Sequence, residues 1–128
     1  MRVLVCGGRD FTDREFVFFV LNALNAKKHI GMIIHGCARG ADTFGEEWSA
    51  QNDRCTSYGV PADWKKYGNR AGPVRNRQMI EWGKPDLVVA FDGGAGTQDM
   101  VNAAVAAGIR VIHAEKLRRH YEQERSDV

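Results

Sequence analysis

The stretch Asp86-Leu-Val-Val-Ala-Phe-Asp-Gly-Gly-Ala-Gly-Thr-Gln-Asp-Met100 decides how the rest of the chain is read. Leu87 to Phe91 is a short apolar run of β-branched and aromatic residues. Asp92 to Thr97 is a glycine-rich turn, and an Ala-rich helical pattern follows from Gln98 to Ala107. The order is strand, tight turn, helix. Gly93, Gly94 and Gly96 let the backbone take positive φ and approach a ligand closely, while the free N–H groups at the helix start, next to Thr97, attract an anion. A turn that needs glycine only for close packing has the same composition.

Upstream, the same unit recurs. Arg2 to Cys6 is a buried-strand pattern that runs into Gly7-Gly8-Arg9-Asp10-Phe11. Thr12-Asp13-Arg14-Glu15 has the spacing of a capping box, with Thr12 as N-cap and Glu15 at N3, which predicts a helix from about Asp13 to Lys28. Its run Phe16 to Leu21 is apolar on more than the single stripe a surface helix needs, so a homodimer or higher oligomer is expected. Ile30 to Ile34 predicts a second strand, followed by the turn His35 to Asp42 and a helix to about Asn52. Cys55 to Tyr58 predicts a short third strand, and Val60 to Gly72 reads as a long loop. Pro73 suits the first turn of a helix that carries Arg75-Asn76-Arg77 and ends near Gly83, ahead of the fourth strand at Leu87. Ile109 to His113 supplies a fifth strand, and residues 115–128 form a polar, charged tail expected to be solvated.

Strands alternating with helices at this spacing predict an α/β fold: one Rossmann-like three-layer domain over residues 1–114, with a five-stranded parallel sheet in the order 3-2-1-4-5. Ligands in such sheets bind at the carboxyl ends of the strands, where the strand order reverses. Gly7-Gly8-Arg9-Asp10 and the turn Asp92 to Thr97 would flank that crevice, with Arg39-Gly40-Ala-Asp42 and the Arg75 helix start on the same edge. This convergence predicts a phosphate-bearing ligand.

Composition narrows the classes. A chain of 128 residues with 44% hydrophobic composition is long enough for one domain with a real core. A formal charge of +2 does not resemble a dedicated nucleic-acid binder, so nucleic acid is not the expected partner. No apolar run approaches a membrane span and Met1-Arg2 leads straight into a strand, so a cytoplasmic protein is expected. Cys6, Cys37 and Cys55 lack metal-ligand spacing and are read as reduced thiols; no metal and no cofactor are expected.

Arg9, Arg39, Arg75 and Arg77 are candidates for holding a phosphate through their guanidinium forks, or for pairing with Asp10, Asp42 or Asp92 to fix the loops. Asp10 and Asp42 follow glycine-rich turns, where a carboxylate accepts from a ribose hydroxyl or caps a helix; capping is preferred for Asp42. Trp64 and Tyr67, beside Lys65 and Lys66, suit base stacking, although anchoring of the loop to the core is preferred for Trp64. His35 is read as structural.

Taken in order, Gly7-Gly-Arg-Asp-Phe11, Gly36-Cys-Ala-Arg-Gly-Ala-Asp42, Pro61-Ala-Asp-Trp64, Ala71-Gly-Pro-Val-Arg-Asn-Arg-Gln-Met79 and Gly93-Gly-Ala-Gly-Thr97 resemble the SLOG superfamily of nucleotide-ligand proteins, in its YspA/YpsA-related branch. The resemblance covers residues 1 to about 113 and implies binding of a nucleotide or nucleotide-derived molecule for sensing or sequestering. Two related groups imply alternatives. LOG-type phosphoribohydrolases, which cleave the N-glycosidic bond of nucleoside 5′-monophosphates, carry a Pro-Gly-Gly-x-Gly-Thr-x-x-Glu turn. Gly93, Gly94, Gly96 and Thr97 match it, but Asp92 replaces the proline and Met100 the glutamate, and their essential arginine matches Arg77. If this chain is a hydrolase, the candidate catalytic pair is Asp99 with Arg77, with Asp10 and Asp92 as rival carboxylates. DprA-like proteins, which bind single-stranded DNA, share turns similar to Gly36 to Asp42 and Arg75-Asn-Arg77, which makes such binding a third reading.

Overall fold

The computed structural model describes residues 1–127; position 128, the last of the charged tail, lies outside the described residues. Strands β1 (Arg2–Cys6), β2 (Met32–His35), β3 (Thr56–Gly59), β4 (Leu87–Ala90) and β5 (Arg110–His113) form one parallel sheet in the order β3-β2-β1-β4-β5. Helices α1 (Arg14–Lys27), α2 (Ala41–Ala50), α4 (Ala71–Gly83) and α5 (Ala95–Ala106) make the crossovers, with the short α3 (Trp64–Tyr67) ahead of α4 and α6 (Arg118–Ser126) at the end. This is the expected Rossmann-like fold.

The layers follow from side-chain alternation along the central strands. Val3, Val5, Ile33 and Val89 share one core with Phe16, Val17, Val20 and Leu21 of α1 and Trp48 of α2. Their sequence neighbours Leu4, Cys6, Ile34, Val88 and Ala90 point the other way, into a second core with Met79 of α4 and Met100, Val101 and Ala104 of α5. Covered on both faces, these strands read as continuous apolar runs. Each fully buried large side chain contributes roughly 1.5–3 kcal/mol, so the two cores hold the sheet from both sides. Register places Val3 beside both Ile33 and Leu87, with β1 at the centre. The chain leaves β1 for one face and β4 for the other, and a crevice opens between those two exits.

Three local readings are corrected. The N-cap of α1 is Asp13, not Thr12: its Oδ1 accepts from the Phe16 N–H at 3.1 Å. Arg118 of α6 pairs with the other oxygen of Asp13, a tertiary partner that Thr12 cannot engage. The loop at residues 60–72 is mostly helical: Asp63 caps α3 through the Lys66 N–H, and a 3₁₀ turn at Gly68–Arg70 leads into α4 at Ala71. One turn of helix is too short to show periodicity.

The charged tail is not simply solvated. A 3₁₀ turn at Ala114–Leu117 leads into α6, whose Tyr121 is buried, its ring 5.2 Å from that of Phe16 and 5.1 Å from that of Phe19. Arg118 lies over the Phe16 ring at 3.7 Å and pairs with Glu115 as well as Asp13. One buried aromatic among charged residues gives little signal in sequence, yet it covers part of the broad apolar face of α1. All three cysteines are free, as expected. Among the described residues no helix is long and apolar enough to cross a membrane.

Candidate functional site

Three turns meet at the carboxyl end of the sheet. The Gly8 N–H donates to the Asp92 carbonyl at 2.8 Å, tying the turn after β1 to the turn after β4. A Cβ on Gly7 would lie 2.6 Å from the Ala41 Cβ, and one on Gly8 would lie 3.0 Å from the Gly93 Cα. Gly40 has φ +82°, and a Cβ there would strike the Gly8 carbonyl oxygen. A Cβ on Gly93 would strike the Thr97 hydroxyl. Close packing, against backbone at Gly8 and Gly40 and against side chains as well at Gly7 and Gly93, accounts for glycine at these four positions.

Gly94 and Gly96 differ. A Cβ on either meets nothing within 4 Å, and contrary to expectation neither they nor Gly93 take positive φ; that conformation falls on Gly40, Gly68 and Gly108. Neither packing nor a positive φ accounts for glycine at 94 or 96. Both line the crevice at the start of α5, whose N-cap, Gly94, offers no side-chain cap. The first N–H groups of α5 are therefore left bare toward a space of about 310 Å³.

That space has an apolar floor of Cys6, Met79 and Met100. Gly7, Gly8 and Arg9 form one wall, Gly94, Gly96 and Thr97 another, and Trp64, Arg75 and Asn76 a third. Burial pushes the Cys6 thiol up to about 12, which keeps it protonated and inert.

Of the four candidate arginines, Arg9 and Arg75 line the crevice. Arg75 Nη1 donates to the Gly36 carbonyl and its Nε to Asn76 Oδ1 at 3.1 Å, so it also holds the turn after β2 against α4. Arg39 is exposed and outside the crevice lining. Arg77 is exposed too, and grips Asp99 with both nitrogens, at 2.8 and 3.2 Å. Neither partner lines the crevice; Arg77 borders a separate surface hollow with Ile80 and Asn102. The Arg77 guanidinium holds the Asp99 carboxyl below its usual range. The candidate catalytic pair is thus brought together, but at the outer α4–α5 seam.

Asp42 lines the crevice and is buried. It is not the N-cap of α2, which is Gly40. Its Oδ2 accepts from the Gly36 N–H at 2.7 Å, closing the turn before the helix. Burial raises its pKa from the ordinary 3.8 to about 6, against the pull of the Gly36 N–H and the Arg75 charge. Asp10 is exposed and lies with Asp92 and Gly93 in a neighbouring cavity of about 560 Å³, whose far side is Glu115 and Arg118. His35 is buried, accepts from the Cys37 N–H through Nδ1 at 3.1 Å, and is kept below its ordinary pKa by burial, in keeping with a structural role.

Trp64, named in the sequence only as an alternative stacking residue, and Asn76 and Met100 join the crevice beyond the expected binding set. Trp64 is 51% exposed and lines the crevice, so it does not anchor the loop in the core. Asn76 is 3% exposed and donates to the Gly96 carbonyl at 3.2 Å and to Asp99 Oδ2 at 3.0 Å, fixing the start of α5 to α4. Its place between two arginines was the only local signal. Met100 forms the floor at the position where a LOG-type turn carries its glutamate.

Among known proteins, residues 1–67 match the family described as YAcAr: YspA, cpYpsA-related SLOG family. The matched part holds the Gly7-Gly8-Arg9 turn, the turn from Gly36 to Asp42, and Trp64. The gene 61 protein of Mycobacterium phage D29 is 36% identical over 120 residues, which span 88% of this chain and 94% of that protein.

Proposed function

The chain belongs to the YspA, cpYpsA-related SLOG family, and from that premise we propose that it binds a nucleotide or nucleotide-derived small molecule in the crevice, as a sensor or a sequestering protein. The observation that carries this reading is the pair Gly94 and Gly96. Their lack of side chains is explained by neither packing nor φ, and it leaves the α5 amides open to an anion. Arg9 and Arg75 supply positive charge beside that helix end, and the apolar floor suits the uncharged part of the ligand. A volume of about 310 Å³ is at the small end of small-molecule sites, the scale of a mononucleotide.

Binding is favoured over cleavage. Breaking an N-glycosidic bond builds positive charge on the ribose, which calls for a carboxylate at the anomeric carbon. Met100 occupies the place of that carboxylate in the floor, and Asp99 is turned away and spent on Arg77. The acidic side chain in the crevice wall, Asp42, is committed to the Gly36 N–H.

A ligand that binds only the folded state raises its melting temperature by mass action. A panel of nucleoside mono-, di- and triphosphates and their free nucleosides is expected to give shifts for phosphorylated members and much smaller ones for nucleosides. No shift from any member at millimolar concentration would refute the proposal. Oligonucleotide binding, if it occurs, would be recognised by a steep loss with added salt.

A further inference from the structure

The crevice has one aromatic wall, and its position is more specific than general nucleotide binding requires. Trp64 stands on the single turn of α3, capped by Asp63, and is half exposed although indole is normally among the more buried side chains. Its Cη2 lies near the start of α4, 3.9 Å from where a Cβ on Gly72 would be. Half of its surface is open, and it borders both the crevice and an adjoining hollow that it shares with Trp82. Over the ring lies the guanidinium of Arg9, 6.0 Å from the centroid, at the outer limit of a cation–π contact.

We propose that Arg9 and Trp64 form a slot for the base of a nucleoside 5′-phosphate, with the phosphate at the start of α5; this rests on the nucleotide reading above and assigns the base-binding side of the site. A flat ring inserted between two planar groups needs about 7 Å, two contacts of about 3.5 Å each. The slot at 6.0 Å is short of that by about 1 Å, which an exposed Arg9 side chain on a turn supplies by a small rotation. The guanidinium then stacks on one face of the base and the indole on the other. Stacking of this kind is tolerant of base identity because every base presents a π-face. The site therefore selects a base-bearing phosphate over a bare sugar phosphate and discriminates weakly among bases.

Trp82 provides the control. It is exposed to the same 51%, on α4, but does not line the crevice. Calorimetric titration of AMP, UMP and ribose 5-phosphate into the wild type, Trp64→Ala, Trp64→Phe and Trp82→Ala tests the slot. Trp64→Ala is expected to weaken AMP and UMP about 5- to 150-fold, the range for loss of one base–aromatic stack, with ribose 5-phosphate unchanged. Trp64→Phe should recover most of the affinity, and Trp82→Ala should match the wild type. AMP should also quench the tryptophan fluorescence of Trp82→Phe but not that of Trp64→Phe. If Trp64→Ala leaves AMP binding intact, or weakens AMP and ribose 5-phosphate alike, the slot is refuted while the phosphate site stands. If the wild type binds none of the three, the slot for a nucleoside 5′-monophosphate falls, and the nucleotide reading falls with it when the phosphate panel is also without a shift.

Discussion

Replacing Gly96 by alanine should make the protein more stable and a worse binder, and Gly40→Ala should do the reverse to stability. Gly96 is the second residue of α5, has no positive φ, and a Cβ there meets nothing within 4 Å. Alanine at such a position stabilises by about 0.4–1 kcal/mol, through a less disordered unfolded chain and better helix propensity. For a domain of this size that is a rise in Tm of roughly 1–5 °C. Gly96 lines the crevice at the bare helix end, so the added methyl is expected to crowd an anion there away from at least one N–H donor. A hydrogen bond to a charged group is worth about 1.5–3 kcal/mol, so nucleotide affinity should fall roughly 10- to 150-fold. At Gly40 the same substitution meets φ +82° and the Gly8 carbonyl, and backbone strain of that kind costs about 1–3 kcal/mol before the collision is added. Urea denaturation followed by calorimetric titration of each variant separates the two effects. The reasoning is refuted if Gly96→Ala destabilises as Gly40→Ala does, or if it stays within about twofold of wild-type affinity.

The raised pKa of Asp42 means that the folded state holds its proton more tightly than the unfolded chain; its contribution favours folding below about pH 4 and is lost as pH rises through about 6. Asp42→Asn keeps an oxygen for the Gly36 N–H and should remove a fall of roughly 3 kcal/mol across that window, which pH-dependent urea midpoints will show as a flatter profile. Tyr121→Ala empties the contact of α6 with Phe16 and Phe19 and should destabilise by about 2–4 kcal/mol in the same assay, a result a solvated tail would not give. Arg77→Ala and Asp99→Asn should leave nucleotide affinity unchanged and cost less than about 1 kcal/mol, as for an ion pair open to solvent; robust release of free base by the wild type, abolished in either variant, would contradict the binding role. Light scattering should return a mass above the 14.3 kDa monomer, reduced by Phe18→Asp; a monomer at micromolar concentration would show that α6 and Arg14, which lies over Phe18 at 4.2 Å, already cover the apolar face of α1.

What the amino-acid order settles here is local or periodic. Runs such as Val3 to Cys6 and Leu87 to Ala90, each entering a glycine-rich turn and a helix, specify parallel strands because such runs are stable only when covered on both faces. Alternating strands and helices implied parallel crossovers, and the crevice follows once the strand order is 3-2-1-4-5. Motif spacing was enough to bring Gly7-Gly8-Arg9, Asp42, Arg75 and the turn at Gly94 to Thr97 to one place. Side-chain commitments across the fold were not readable in that way. Whether Arg77 faces a ligand or Asp99 depends on how α4 and α5 are set against each other, and Asp13, which caps α1, also holds Arg118, 105 residues beyond it. Trp64 reads as a core anchor because indole usually buries; only the fold shows it half exposed at the crevice. The glycines make the division plainest. In the sequence Gly93, Gly94 and Gly96 are equivalent, but a Cβ on Gly93 collides with Thr97 while one on Gly94 or Gly96 meets empty space, a difference set by what the fold brings alongside each residue.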